Sequence, residues 1–222
     1  MSRRRAILLS AGAIVSVLAL AQVLLPRIAA SRIRSRLGRY GTVESVQVSA
    51  WPAIKLLWGS ADSIDVHARE VSLPTSNAES LLWEARHAGS ISFTASALKL
   101  GTLALTAASL SKRGSQLEGN ALASAADVRR ALPAGVGIEL LRSGGGEVEG
   151  RVRGSLFGIG GSLDAVAMAS DGRLVVKPTA PLLGAVELTL FSDPHVYVEG
   201  VGASAAGGDP PSYRLSISAL LR

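Results

Sequence analysis

The sequence predicts an α+β fold in one folding unit: a long curved antiparallel β-sheet wrapped around, or packed on, one long helix and one or two short ones. Three observations carry this expectation. From Val43 onward apolar and polar residues alternate with period two through run after run, the mark of strands with one buried face. Several of these runs exceed the usual length of about five to six residues, and a sheet of long strands with one smooth aliphatic side curls around a helix, other strands or a ligand. Only a few stretches exchange that period for a helical one, and no composition break suggests a second domain.

The chain begins Met1-Ser-Arg-Arg-Arg and continues through Ala6–Leu25 without a charge. Twenty such residues at about 1.5 Å each match a hydrocarbon core of about 30 Å, so residues 1–25 fit an N-terminal membrane anchor. The same segment fits a cleaved signal peptide, with Ala19-Leu20-Ala21 as the small-residue cut site. Either reading makes the protein exported and leaves 26–222 as the folded domain. Arginines flank both sides of the segment, so charge asymmetry gives no orientation. In PRIAASRIRSRLGRYG, Pro26 suits the start of a helix and Gly38 its end. Ile28, Ile33 and Leu37 are its apolar positions, while Arg32, Arg36 and Arg39 form a basic face. Such a face suits anionic headgroups at about 1 kcal/mol per basic residue, or a solvated side of a helix docked on the body.

VESVQVSA then sets Val46, Val48 and Ala50 against Ser45, Gln47 and Ser49, and SIDVHAREVSL sets Ile64, Val66 and Ala68 against Asp65, His67 and Arg69. Between them lies SAWPAIKLLWG, a connection with two of the three tryptophans and almost no charge, where connections are ordinarily polar. A helix is expected over NAESLLWEARHAG, with Asn77 as N-cap, Gly89 as C-cap, and Leu81, Leu82 and Ala85 facing the sheet. Strands resume in SISFTAS, LKLGTLALTAAS and SQLEGNAL. SAADVRRALPAG reads as a short helix started by Ser124 and stopped near Pro133. VGIELL, a Ser143–Gly146 turn and EVEGRVRGSL follow, the last alternating Val148, Val152 and Leu156 with charges of both signs. Asp171-Gly172 joins GSLDAVAMAS to RLVVKP as a two-residue hairpin. AVELTLFS, HVYVEGVGASA, a GGDPPS turn and YRLSISALL complete a meander.

Composition narrows the function. The protein has 222 residues, 48% hydrophobic and 18% charged, which argues against disorder, and with aromatics at 4% it can line an apolar space better than fill one. The net charge of +6 is concentrated at the start: residues 1–39 hold eight arginines and no acid, so the body has fifteen basic against seventeen acidic residues. A nucleic-acid binder carries its basic face on the folded domain, so no nucleic-acid partner is expected. The absence of cysteine excludes disulfides, thiolate metal sites and a Cys nucleophile. GxSxG, P-loop and HExxH motifs are missing, SGGGEVEG and FGIGGSL lack dinucleotide-loop spacing, and His67, His87 and His195 have no ligand-spaced partners. No catalytic residue, metal or cofactor is expected, and the protein reads as a non-enzyme.

The order of an apolar start, a basic helix ending in LGRYG, SVQVSAWPA, LLWGSADSIDVHAREVSL, LEGNALASAADVRRAL, ASDGRLVVKP, HVYVEGVGASA and YRLSISA resembles the LmeA-like family of actinobacterial cell-envelope proteins. The resemblance implies a tubular lipid-binding fold with an apolar tunnel, phospholipid or glycolipid as ligand, and support of an envelope glycosyltransferase. It carries no headgroup site over residue by residue.

The candidate lipid-lining residues are Val46, Val48, Ile64, Val66, Ile91, Phe93, Leu103 and Leu105 from the first strands, with Val152, Leu174 and Val176 from the later ones. Trp51, Leu56, Leu57 and Trp58 are expected at a tunnel mouth or bilayer interface, because an indole favours a boundary between apolar and wet surroundings. They equally suit a lid sealing the sheet. Lys55, Arg36 and Arg39 are candidates for a headgroup. Two functions follow: binding or transfer of lipid at the periplasmic, cell-envelope side of the cytoplasmic membrane, or a membrane-tethered scaffold with a filled core that assists a glycosyltransferase.

Overall fold

A computed structural model describes residues 2–74, 86–132, 136–156, 159–179, 187–207 and 211–222, with side chains from Leu20 onward except at Ser155, Leu156 and Ile159. It is mostly β-sheet with few helices, as the alternating pattern requires. The first element is a single helix, α1 (Ser2–Leu37), which passes through Pro26 without a break. Pro26 was expected to start a separate helix. Proline inside a helix forfeits one backbone bond, whereas a break would leave orphaned N–H and C=O groups on both sides of it. Gly38 does end the helix, its N–H donating to Arg34 O at 2.8 Å.

Twelve strands follow among the described residues: β1 (Gly41–Ser49), β2 (Ala61–Leu73), β3 (Ala88–Leu100), β4 (Leu103–Arg113), β5 (Gln116–Ser124), β6 (Gly137–Gly144), β7 (Glu147–Leu156), β8 (Ile159–Ser170), β9 (Arg173–Pro178), β10 (Leu188–Phe191), β11 (Val196–Gly207) and β12 (Ser212–Leu221). A 3-10 segment (Ala53–Trp58) joins β1 to β2, and a short helix α2 (Ala125–Ala131) follows β5. Ser124 caps α2 as expected, accepting from Asp127 N at 3.0 Å.

The strands form two sheets. The first is seven-stranded, in the order β1-β2-β3-β4-β5-β12-β11; the second is five-stranded, β10-β9-β8-β7-β6. One pairing departs from the expected antiparallel meander: β2 and β3 are parallel. A parallel pair needs a crossover of about a dozen residues or more, and residues 74–87 supply that length. Of the helix expected there, the part with Leu81, Leu82 and Ala85 lies outside the described residues, while Arg86 and His87 form a turn ahead of Ala88 and Gly89. That glycine belongs to β3 and is no C-cap; a Cβ there would meet Asp62 O at 2.8 Å, so the close approach of β2 accounts for it.

The two sheets meet along β11. Its free edge accepts the hairpin tips of the second sheet: Val198 N donates to Gly172 O at 2.9 Å, Val201 N to Gly146 O at 3.0 Å, and Ala203 N to Ser143 Oγ at 3.0 Å. At Asp171-Gly172 both residues have positive φ, as the two-residue hairpin demands. Gly172 also lies against Tyr197, whose other neighbour is the Arg222 guanidinium, 4.1 Å from the ring centre. At the opposite edge α1 packs against β1, and Arg34 donates to Val43 O and Glu44 O, covering backbone acceptors of an edge strand.

Candidate functional site: an aliphatic wall and a tryptophan segment

The register across the first sheet places apolar side chains in rows. Val46, Val66, Phe93, Leu110, Ile217 and Val201 are successive cross-strand partners, with Gly119 between Leu110 and Ile217. The next row contains Val48, Ile64, Ile91, Lys112, Leu117, Ala219 and Val198. Further along the strands, Ala68, Ala95 and Ala108 form a buried cluster with Val71, flanked by Leu98 and Leu73. Leu98 pairs with Leu105, and Leu100 with Leu103. The candidates Val46, Val48, Ile64, Val66, Ile91, Phe93, Leu103 and Leu105 therefore share one side of the sheet.

The second sheet extends this surface. Val152 pairs with Leu163 on β7 and β8, while Val176 pairs with Ala167 and Leu174 with Ala169 on β8 and β9. Because β8 is regular across Leu163, Ala165, Ala167 and Ala169, the candidates Val152, Leu174 and Val176 lie on one face. Phe191 pairs with Leu174 and packs against the Leu117–Val196–Ala219 cluster, linking the two apolar faces.

This wall is covered in part: Val66, Leu105, Leu117, Val198 and the Ala68–Ala95–Ala108 cluster are buried, and the rest is not. Among the described residues the largest fully buried side chains are Val71, Val175 and Val198, and Val175 belongs to the opposite face of the second sheet. Val46, Val48, Ile64, Ile91, Phe93, Leu103, Leu174 and Val176 all keep part of their surface accessible. The opposite side of the first sheet is polar where it is recessed. A groove of about 350 Å³ under the β6–β7 tip is lined by Glu118, Asn120, Ser143, Ser216 and Ser218 with several glycines, and also touches Val201 and Ile217.

The tryptophan segment does not join the wall. The 3-10 segment projects from the end of β1 and β2, with Trp51 72% exposed, Leu57 65% and Trp58 73%; Leu56 is half-buried. Asp62 holds its base, accepting from Trp51 N at 2.5 Å and from Lys55 Nζ at 3.4 Å. The Trp51 amide and then the Lys55 charge hold the Asp62 carboxyl below its ordinary range. Gln22 of α1 closes the arrangement, donating to Ala50 O at 3.0 Å and accepting from Ala53 N at 2.8 Å.

The headgroup candidates are not brought together. Lys55 is paired with Asp62 beside Gln22, whereas Arg36 and Arg39 are exposed at the far end of α1. The helix between Gln22 and Arg36 spans about 21 Å at about 1.5 Å per residue. The cation that does face the wall is Lys112, which sequence reading passed over. It is 2% exposed, in the row of Ile91 and Leu117, and its ammonium donates to the carbonyls of Ala88 and Arg86. Burial lowers its pKa from the usual lysine value. The alternation running on from Leu110 contained the signal, since it turns Lys112 inward. Among the described residues no group of three metal-ligating side chains occurs, and His67 Nδ1 lies 2.7 Å from Thr94 Oγ1 on the exposed side.

A broad, partly uncovered aliphatic wall and two presented indoles are surfaces of the kind that take up apolar ligands. The chain is a member of the LmeA-like phospholipid-binding family, which matches residues 17–210. That family is a phospholipid-binding one and not a known enzyme family. No curated protein and no solved structure matches the chain.

Proposed function

We propose that the protein binds a phospholipid or glycolipid non-enzymatically by laying its acyl chains along the aliphatic wall, and exchanges that lipid with the outer face of the cytoplasmic membrane. Residues Ala6–Leu25 serve as export signal or anchor, and an envelope glycosyltransferase receives or supplies the lipid. The observation that carries this reading is the wall itself: Ile64, Ile91, Phe93, Leu103 and Leu174 keep accessible surface, although Leu105 and Leu117 beside them are buried. Burying a methylene gains about 0.8 kcal/mol, so two sixteen-carbon chains favour the wall over water by up to ~25 kcal/mol. Relative to a bilayer the difference is near zero, which permits reversible exchange.

Solvent extraction of the purified full-length protein followed by mass spectrometry tests the proposal. Phospholipid or glycolipid near one per chain is expected, with a several-fold loss in Phe93→Asp. A wild-type protein that stays lipid-free after incubation with phospholipid vesicles overturns it.

A further inference from the structure

We infer that the Trp51–Trp58 segment and the adjoining turns of α1 form a bilayer-docking surface, which seats the Val48–Ile64 end of the aliphatic wall on the membrane. The docking stands on the geometry of the segment; its use as a lipid entrance rests on the lipid-binding reading above.

Three features converge. The exposed surface is apolar and shared between two elements, Trp51, Leu57 and Trp58 on the segment and Leu20, Val23 and Leu24 on α1. An exposed apolar patch of this kind marks an interaction surface. Second, the segment is held outward: Gln22 and Asp62 together satisfy Ala50 O and the N–H groups of Trp51 and Ala53, so the indoles do not fold back onto the wall. Third, the chemistry of the occupant is written in the same helix. Gln22 lies just before the end of the uncharged run Ala6–Leu25, and the first charge after it is Arg27. A helix that leaves hydrocarbon between Leu25 and Arg27 puts the residues bound to Gln22 at the headgroup level. Indoles concentrate at that level, because the ring is apolar and its N–H seeks a polar partner. Lys55, the one charge within the segment, is neutralised by Asp62 and adds no barrier to approach.

The test uses the full-length protein reconstituted in phosphatidylcholine–phosphatidylglycerol vesicles whose phosphatidylcholine carries bromine at a shallow or a deep acyl position. Tryptophan emission is expected to be quenched most by the shallow label, and most of that quenching should vanish in Trp51→Phe/Trp58→Phe. Wild type and variant are compared at equal vesicle-bound protein, measured by flotation, so the change reports the segment and not recruitment. Equal quenching in wild type and double variant, or none in either, overturns the docking. In parallel, Leu57→Ser/Trp58→Ser is expected to slow phospholipid transfer between vesicles several-fold while leaving the lipid content of the purified protein unchanged. Shallow quenching in a protein that never carries lipid keeps the docking and removes the lipid-binding reading. A lipid-loaded protein without quenching does the reverse. An unquenched wild type that is dimeric in detergent, and monomeric as Leu57→Ser/Trp58→Ser, assigns the surface to a second copy and overturns the proposal.

Discussion

Lys112 is the residue at which local rules and the whole fold disagree most. A lysine on an aliphatic wall opposes burial, yet its ammonium satisfies the carbonyls of Ala88 and Arg86 where β3 begins. Replacing it by methionine keeps the stem and removes the donors, so the gain from relieved desolvation is set against carbonyls left unpaired, each worth about 1 kcal/mol. The pH dependence separates the two. Burial lowers the folded pKa below the unfolded value of 10.5, so between them the unfolded chain holds more protons and stability rises with pH. Urea unfolding of wild type should therefore show an upward slope on approaching pH 10.5 that is absent from Lys112→Met. Parallel slopes in the two proteins would remove Lys112 as the cause. The lysine was legible in the alternation of β4, but its partners were not, because they come from the far end of a crossover.

At the scale of elements, the strands were the most readable part and the connections the least. Asp171-Gly172 announced its hairpin, Ser124 its helix, and EVEGRVRGSL its bounds. The parallel pairing of β2 with β3 left no mark in either strand, since period two is the same for both pairings. Strand parity also changes partway: inward positions run Val66, Ala68, then Val71 in β2, and Phe93, Ala95, then Leu98 in β3. In β4 the corresponding shift lies at Ala107, whose φ of 47° marks the irregularity between Thr106 and Ser109. An alternation read from one end of these strands assigns the wrong face at the other. The tryptophan segment was legible in composition and not in position, because its anchors are Gln22 and Asp62. Asp62→Asn should loosen it, and acrylamide should then quench the indoles more strongly in detergent-solubilised protein. In wild type the Asp62 contribution is present above pH 3.8 and is lost as pH falls through the depressed folded value. The same loosening should thus appear on acidification below pH 3.8, and its absence would show that other contacts hold the loop.

The whole molecule depends on the joint at β11, which no single stretch of sequence revealed. The two hairpin tips close what would be an open sheet edge and carry the apolar face from one sheet to the other. Gly172 is its tightest point: with φ at 77°, a Cβ would lie 2.3 Å from the Tyr197 ring. Gly172→Val should destabilise the protein by about 1–3 kcal/mol in denaturant unfolding, through strain at the turn and displacement of Tyr197. A change within about 0.5 kcal/mol would mean the tip can lift away without cost to the fold. The alternation of each strand was readable singly, whereas the continuity of the apolar face through Phe191 needed the tertiary structure.

The unbroken passage of α1 through Pro26 bears on how such a molecule handles cargo. On the proposed reading, were its uncharged half retained in a bilayer, the helix would be a stiff mast and not a tether: the clamp at Gln22 and the grip of Arg34 on β1 fix the domain at two points along one rod. Height and lean above the lipid surface would then be set by construction, and the exchange proposed above would proceed at a constant stand-off, without a search by a swinging domain.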